Sequence, residues 1–225
     1  MRRWWRGLFC AGMALCLCGC TAGQAADSRP VQGCILIDPG HGGMDGGTQA
    51  EDGTLEKHLN LDISLSLRDM LAVCGFPVEM TRCSDVSIHD PTAGSVREKK
   101  VSDMRNRLAL YETAGLVISV HQNHFSQEKY AGATVYYSGN HPDSQALAVC
   151  VREELLRLLQ PENHRELKKA TDGIYLLYHT NRPAILVECG FLSNHAERER
   201  LKTTEYRQQM AFTVLGGYFA FLSQK

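Results

Sequence analysis

The chain has 225 residues, enough for one ordinary domain with a sizeable core. Its 44% hydrophobic and 22% charged content are those of a soluble globular protein. A formal net charge of -1, with no basic stripe interleaved with aromatics, argues against nucleic acid as a partner and predicts no steering toward an anionic surface.

Residues 1–26 read as an export signal and are set apart from the fold. Arg2, Arg3 and Arg6 make a basic start, Leu8 to Leu17 is apolar but short for a membrane span, and small residues follow. Leu17-Cys18-Gly19-Cys20 has the form of a lipoprotein box, which would put a lipid on Cys20 and anchor the chain to a membrane through its N-terminus. Ordinary cleavage between Ala22 and Ala26 is an equal alternative, and an uncleaved anchor a lesser one. Residues 27–32 read as a linker, and 33–225 as a single catalytic domain. Beyond the export segment stand Cys34, Cys74, Cys83, Cys150 and Cys189. Their odd number, wide spacing and lack of a Cys-x-x-Cys pair argue against a disulfide framework or a thiolate metal site. Most read as small buried apolar residues.

From there strand and helix alternate. Cys34 to Ile37 is an apolar run stopped by Asp38-Pro39-Gly40, which predicts a buried strand ending in a turn. Leu55, Leu59, Ile63, Leu67 and Leu71 recur every fourth residue, marking a helix with Thr54 as N-cap and Gly75 at its end. Pro77 to Thr81 is a second strand, and Ser84 to Lys100 reads as a polar surface loop that could cover a cleft. Val101, Met104, Leu108 and Tyr111 predict a helix stopped near Gly115. Strands follow at Leu116 to Val120 and Ala133 to Tyr137. Pro142 opens a helix carrying Leu147, Cys150 and Leu158. Ile174 to Tyr178 and Ala184 to Val187 read as further strands, and Tyr206, Met210, Val214, Gly217 and Phe221 stripe a terminal helix. The pattern predicts an α/β fold: one domain, a mixed but mostly parallel twisted sheet, helices on both faces.

In such sheets ligands bind beyond the carboxyl ends of the strands. Three of those ends deliver polar residues: His41 past the first strand, His121 in Ile118-Ser119-Val120-His121, and Glu188 in Ile185-Leu186-Val187-Glu188. Glu56 lies in the first turn of the helix after the glycine-rich loop Gly42 to Gly53, which is flexible enough to fold that turn back beside His41. Two imidazoles and one carboxylate, with a position left for water, make the donor set of a catalytic zinc site. A second carboxylate can then shuttle the proton. Spacing alone does not decide whether Glu56 or Glu188 is ligand or base. Each has a plainer reading: Glu56 as an acid stabilising a helix start, His41 and His121 as ordinary loop or core histidines. Glu188 resists one, because an unpaired buried carboxylate is costly. His58, His89, His124, His141, His164, His179 and His195 read as surface or loop residues, with His124 the best substitute ligand. Strand alternation aims Cys189 away from Glu188 and against a nucleophile role.

At these residues the sequence resembles the zinc-dependent N-acetylmuramoyl-L-alanine amidases of bacterial cell walls, the amidase-3 type. The motifs are Asp38-Pro39-Gly40-His41-Gly42-Gly43 with Asp45-Gly46-Gly47, Leu55-Glu56-Lys57 through Asn60-Leu61, Ser119-Val120-His121-Gln122-Asn123, and Val187-Glu188-Cys189-Gly190-Phe191-Leu192-Ser193-Asn194. The resemblance runs from Cys34 to about Leu222. It implies one catalytic Zn²⁺ held by His41, Glu56 and His121, with Glu188 as catalytic base and acid. It implies peptidoglycan glycan strands with stem peptides as substrate, cut between the lactyl group of N-acetylmuramic acid and L-alanine, on the wall-facing side of the membrane. Val101-Ser102-Asp103 to Arg107, the short chain and the N-terminal segment are similar to the germination-specific subgroup of spore-forming bacteria. Gln122, Leu110 or Tyr111, and Cys189 depart from the commoner residues. Two other readings stand beside this one: a zinc peptidase acting within stem peptides, and a non-catalytic wall-binding or activator homologue. Whether the substrate is vegetative wall or spore cortex, and which protein activates the enzyme, is open at this level.

Overall fold

The computed structural model describes residues 33–225. The export signal expected at 1–26, with Cys20, and the linker at 27–32 lie outside the described residues. The chain runs β1 (Ile35–Pro39), α1 (Glu56–Val73), β2 (Val78–Met80), α2 (Val96–Thr113), β3 (Leu116–Asn123), β4 (Thr134–Tyr137), α3 (Pro142–Glu154), β5 (Lys168–Lys169), α4 (Tyr175–His179), β6 (Ala184–Phe191), α5 (His195–Lys202) and α6 (Thr204–Leu222). The sheet order is β2-β1-β3-β6-β4-β5. β2, β1, β3 and β6 are mutually parallel, β4 runs antiparallel to β6, and β5 pairs parallel with β4. The α/β class and the mixed, mostly parallel sheet are those expected.

Alternation along the strands divides the core. Ile35, Ile37, Ile118, Val120, Ile185 and Val187 face α1, α3 and α6, joining Ile63, Leu67, Leu147, Val151, Met210, Val214 and Phe221. Leu36, Val117, Ala184 and Leu186 face the thinner cover of α2 and α4, joining Tyr111, Leu176 and Leu177. The four-residue spacing of α1 is seen directly in buried Leu59, Ile63, Leu67 and Leu71, and Gly75 leaves the helix at φ 86°. No helix among the described residues is long and apolar enough to cross a membrane.

Several boundaries differ from expectation for identifiable reasons. Thr54 does not cap α1: Leu55 precedes it without a side-chain cap, while the Thr54 carbonyl accepts from Ala50 N. The helix start is drawn into the loop instead, Glu56 N donating to Thr48 O at 2.9 Å. The polar stretch expected as loop through Lys100 turns helical at Val96. Ser95 and Glu98 form a reciprocal capping box there. Ile174 to Tyr178 is not a strand: Tyr175–His179 is a one-turn helix that buries Leu176 and Leu177. A short apolar run carries no periodicity to separate the two. α5, capped by Asn194, and the two-residue β5 were not anticipated, and α3 runs on into a single π turn, Leu155–Leu159. All five described cysteines are free. Cys150 and Cys189 are buried as expected, but Cys74 and Cys83 are exposed.

Beneath the strand ends lies a buried charge network. Asp38, at the end of β1, is fully buried and pairs with the equally buried Arg107 of α2. Its other donors are Thr81 Oγ1 at 2.6 Å, Tyr111 Oη at 2.6 Å and Ser119 Oγ at 3.1 Å. Burial alone would raise the Asp38 pKa. Arg107 above all, then Thr81 and Tyr111, outweigh it and hold the carboxyl at about 2. Because the folded value lies below the ordinary 3.8, this stabilisation is complete above that pH and lost as pH falls toward 2. Asp38→Asn removes one of the two carboxylates that pair with buried Arg107, leaving Asp103 Oδ2 at 2.7 Å from its Nε, and should cost about 1–3 kcal/mol. Urea unfolding at neutral pH measures that loss, and the same titration near pH 3 should show the two proteins converging. A variant as stable as wild type at neutral pH would remove the pair from the fold's support.

Candidate metal centre

The parallel register sets the positions. β1 pairs Pro39 with Val120, and β3 pairs His121 with Glu188, so these last two residues lie side by side inside strands that run on past the end of β1, to Asn123 and Phe191 rather than stopping at Val120 and Val187. His41 follows β1 at φ 62°, a left-handed backbone that L residues other than glycine seldom adopt. Arg107 Nη2 donates to its carbonyl at 2.6 Å, and Gly42 and Asp45 exchange backbone hydrogen bonds of 2.9 and 3.1 Å. That small turn brings Asp45 Oδ2 to 2.9 Å from His41 Nδ1, leaving Nε2 facing Glu56 Oε1 at 3.3 Å.

Glu56 opens α1 and is 2% exposed. Thr48 N donates to its Oε2 at 2.9 Å, so the glycine-rich loop folds back on the helix start as its composition suggested. Its Oε1 lies 3.0 Å from His121 Nδ1 and accepts from Gln122 N at 3.0 Å. The two imidazoles meet edge to face with centroids 5.0 Å apart. Each of His41, Glu56 and His121 offers a donor atom, and these atoms lie within 4.8 Å of one another. Gly40 permits the approach: a Cβ on it would sit 2.2 Å from the His121 ring.

Glu188 stands beside this group on β6, opposite Thr134 of antiparallel β4. Its Oε2 is buried and has no hydrogen-bond partner among the described residues. Burial pushes its pKa up to about 7, with Glu56 adding to the rise and His121 opposing it. The two carboxylates therefore part ways. Burial would raise Glu56 too, but His121 and His41 hold it well below the ordinary carboxylate range. Burial also works against a charged His41 ring, yet Asp45 and Glu56 lift its pKa to about 9. The pocket is built to hold positive charge.

The site opens into a cleft of about 280 Å³ lined by His41, His121, Glu188, Met104, Tyr175 and Leu186. A roomier cleft of about 550 Å³, lined by Tyr130, Gln160 and Arg165, contains none of the candidates. Among the described residues donor atoms converge only at the smaller one. His124 lines a different cleft with Gln49 and Ser193, and no other histidine joins the group. Cys189 is fully buried with its thiol pKa pushed far up, chiefly by that burial, so it is no nucleophile. The sequence reading missed the parts of Asp45 and Arg107. The first stood inside a quoted motif, and the second lies on a helix whose buried side shows no charge-free stripe.

The donor set suits zinc. Two imidazoles and a carboxylate are its usual catalytic ligands, and giving the second ring nitrogen of His41 to a carboxylate fixes the tautomer and aims the first. A family profile described as N-acetylmuramoyl-L-alanine amidase matches residues 35–218. The germination-specific N-acetylmuramoyl-L-alanine amidase of Bacillus subtilis (strain 168) is 34% identical over 201 residues, 88% of this chain and 84% of that protein. The CwlD amidase from Clostridioides difficile, solved in complex with the GerS lipoprotein, superposes with a TM-score of 0.82 at 37% identity, covering 86% of this chain and all of that one. An N-acetylmuramoyl-L-alanine amidase from Clostridium difficile 630 gives 0.73 at 27% identity, over 86% of this chain and 98% of that one.

Gly40→Ala tests the packing. The added methyl has no room against the His121 ring, so the variant should lose about 1–3 kcal/mol. Thermal unfolding reads that loss, and a shifted His121 imidazole resonance locates it. An unshifted resonance would show that the ring is not packed on Gly40.

Proposed function

The chain belongs to the N-acetylmuramoyl-L-alanine amidase family, and from that premise we propose that His41, Glu56 and His121 hold one Zn²⁺ while Glu188 moves the proton. The protein is an enzyme that hydrolyses the amide joining the lactyl group of N-acetylmuramic acid to L-alanine of the peptidoglycan stem peptide. The observation that carries the residue assignment is the convergence of three donor atoms within 4.8 Å beside an unpartnered buried carboxylate. Bound zinc supplies Lewis acidity, polarising a carbonyl and bringing the pKa of water from about 15.7 to about 7.

The chain's own residues do the rest. Asp45 fixes the His41 ring so that Nε2 faces inward. Thr48 N and Gln122 N hold the two Glu56 oxygens in place. Glu188 Oε2, buried and free of protein partners, takes the proton of the attacking water and gives it to the departing alanine nitrogen. Likeness to a germination-specific enzyme supports a role in spore germination, and the lipoprotein complex of a related amidase supports a protein partner. An exported chain, cleaved or lipidated at Cys20, would place it facing the wall. Intact-mass measurement of the mature N-terminus should read either a cleaved start within 22–26 or an acylated Cys20, and an unprocessed Met1 would overturn both.

Glu188→Gln should keep its zinc and lose about 10²- to 10⁴-fold in muropeptide cleavage. Metal analysis and a turnover assay check the two halves. Mass spectrometry of the wild-type digest should show peptides beginning at L-alanine and lactyl-bearing glycan. Cuts within the stem peptide would mark a peptidase, and full activity in Glu188→Gln would remove that residue from the mechanism.

A further inference from the structure

We propose that the buried amide pair Asn60–Gln122 is a positioning clamp, tying together the segments that bear His41, Glu56 and His121 and so setting the affinity of the site for its metal. The inference rests on the reading of those three residues as ligands. Gln122 follows His121 on β3, and alternation turns its side chain to the α1 face, away from the site. Its Nε2 donates to Asn60 Oδ1 at 3.1 Å. Asn60, one turn beyond Glu56 on α1, sends its own Nδ2 to two acceptors: Gly40 O at 3.2 Å and Glu56 Oε1 at 3.3 Å. Gly40 is the residue before His41. A single pair of side chains therefore reaches the end of β1, the first turn of α1 and the C-terminal part of β3. Those elements lie far apart in sequence, and no backbone ladder joins α1 to either strand.

A role in stability alone explains the pair poorly. Asn60 is fully buried, Gln122 is 3% exposed, and Gln122 Oε1 has no partner among the described residues. An unpaired buried acceptor costs free energy that an apolar residue of the same size would not. Cys189, whose thiol lies against Gln122, belongs to the apolar core, a setting in which such a residue would pack well. What the amides provide and a hydrocarbon cannot is direction: the Glu56 carboxylate and the Gly40 carbonyl are each held at a fixed distance from β3. Groups that orient metal ligands in this way are typically worth about 10- to 100-fold in metal affinity.

The test is zinc titration of the metal-stripped protein against a chromophoric chelator, with unfolding of the stripped protein measured alongside. Gln122→Met keeps length and volume but removes the donor. Gln122→Asn keeps an amide one methylene too short to reach Asn60. Each should bind zinc about 10- to 100-fold more weakly than wild type, by more than any change in the unfolding of the stripped protein accounts for. Either folded variant decides the matter if the other does not fold. Wild-type zinc affinity in a folded Gln122 variant, or a loss seen only in unfolding, would overturn the clamp while leaving the ligand assignment intact. Failure of the wild-type protein to take up zinc would overturn both.

Discussion

The architecture around the candidate site turns on one carboxylate, Glu56, kept ionised out of water. Burying a charge is unfavourable unless other groups replace its hydration. Here two backbone N–H groups, from Thr48 and Gln122, and an amide from Asn60 do so, with two imidazoles completing the ring of donors. The donors come from four stretches of chain: the turn after β1, the glycine-rich loop, α1 and β3. To satisfy this one group the glycine-rich loop must fold back, α1 must start at residue 56, and β3 must bring residues 121 and 122 alongside. An anion so enclosed, with imidazoles around it, favours a cation at its centre. The raised pKa of His41 is the same preference expressed by a proton.

A second buried charge works from underneath. Asp38 and Arg107 pair inside the fold, and Arg107 reaches further with its Nη groups to Pro39 O, at 2.9 Å, and His41 O, and with Nε to Asp103 Oδ2 at 2.7 Å. The His41 backbone is in a conformation costing on the order of 1 kcal/mol or more for a non-glycine residue. A guanidinium on its carbonyl and a tight turn through Asp45 offset that cost. Strain at this proposed ligand is thus offset by a network whose own members, Asp38, Arg107, Tyr111 and Ser119, line the same cleft, so core and site are one construction here rather than a scaffold with residues attached.

How much of this was legible in the sequence follows from the range of the interactions. The parallel strands announce themselves as unbroken apolar runs, and α1 and α6 because burial repeats at a fixed period, which Leu59, Ile63, Leu67 and Leu71 keep without interruption. The location of candidate residues at strand ends follows from the same periodicity plus a general rule about open sheets. The start of α2 was also readable: Ser95 and Glu98 carry the spacing of a capping box, but the surrounding polar residues masked it. Tyr175–His179 was not readable, since five residues with a short apolar run fit strand and helix equally. Nor were the Arg107 contacts, which join residues 38 and 107 through space, nor the left-handed backbone of His41, which belongs to the turn and not to the residue type.

The roles of the two acids show where sequence spacing ends and environment begins. Glu56 and Glu188 are the same residue type in the same cleft, and either could bind or titrate by position alone. Their neighbours separate them. Glu56 meets donors on both oxygens and is driven toward the charged form, which suits a ligand. Glu188 sits on a parallel strand whose backbone groups are already used by β3 and β4, so its buried oxygen finds no donor and its pKa climbs to about 7. Two identical groups pushed apart in this way are how one pocket can hold a cation with one carboxylate and pass a proton with another. The antiparallel insertion of β4 matters for that reason: it closes the far side of β6 with Thr134 rather than with a basic residue, leaving Glu188 unneutralised. A lysine or arginine at that register position would give Glu188 the counter-charge Glu56 enjoys, and would trade its capacity to exchange a proton near neutrality for a permanent charge.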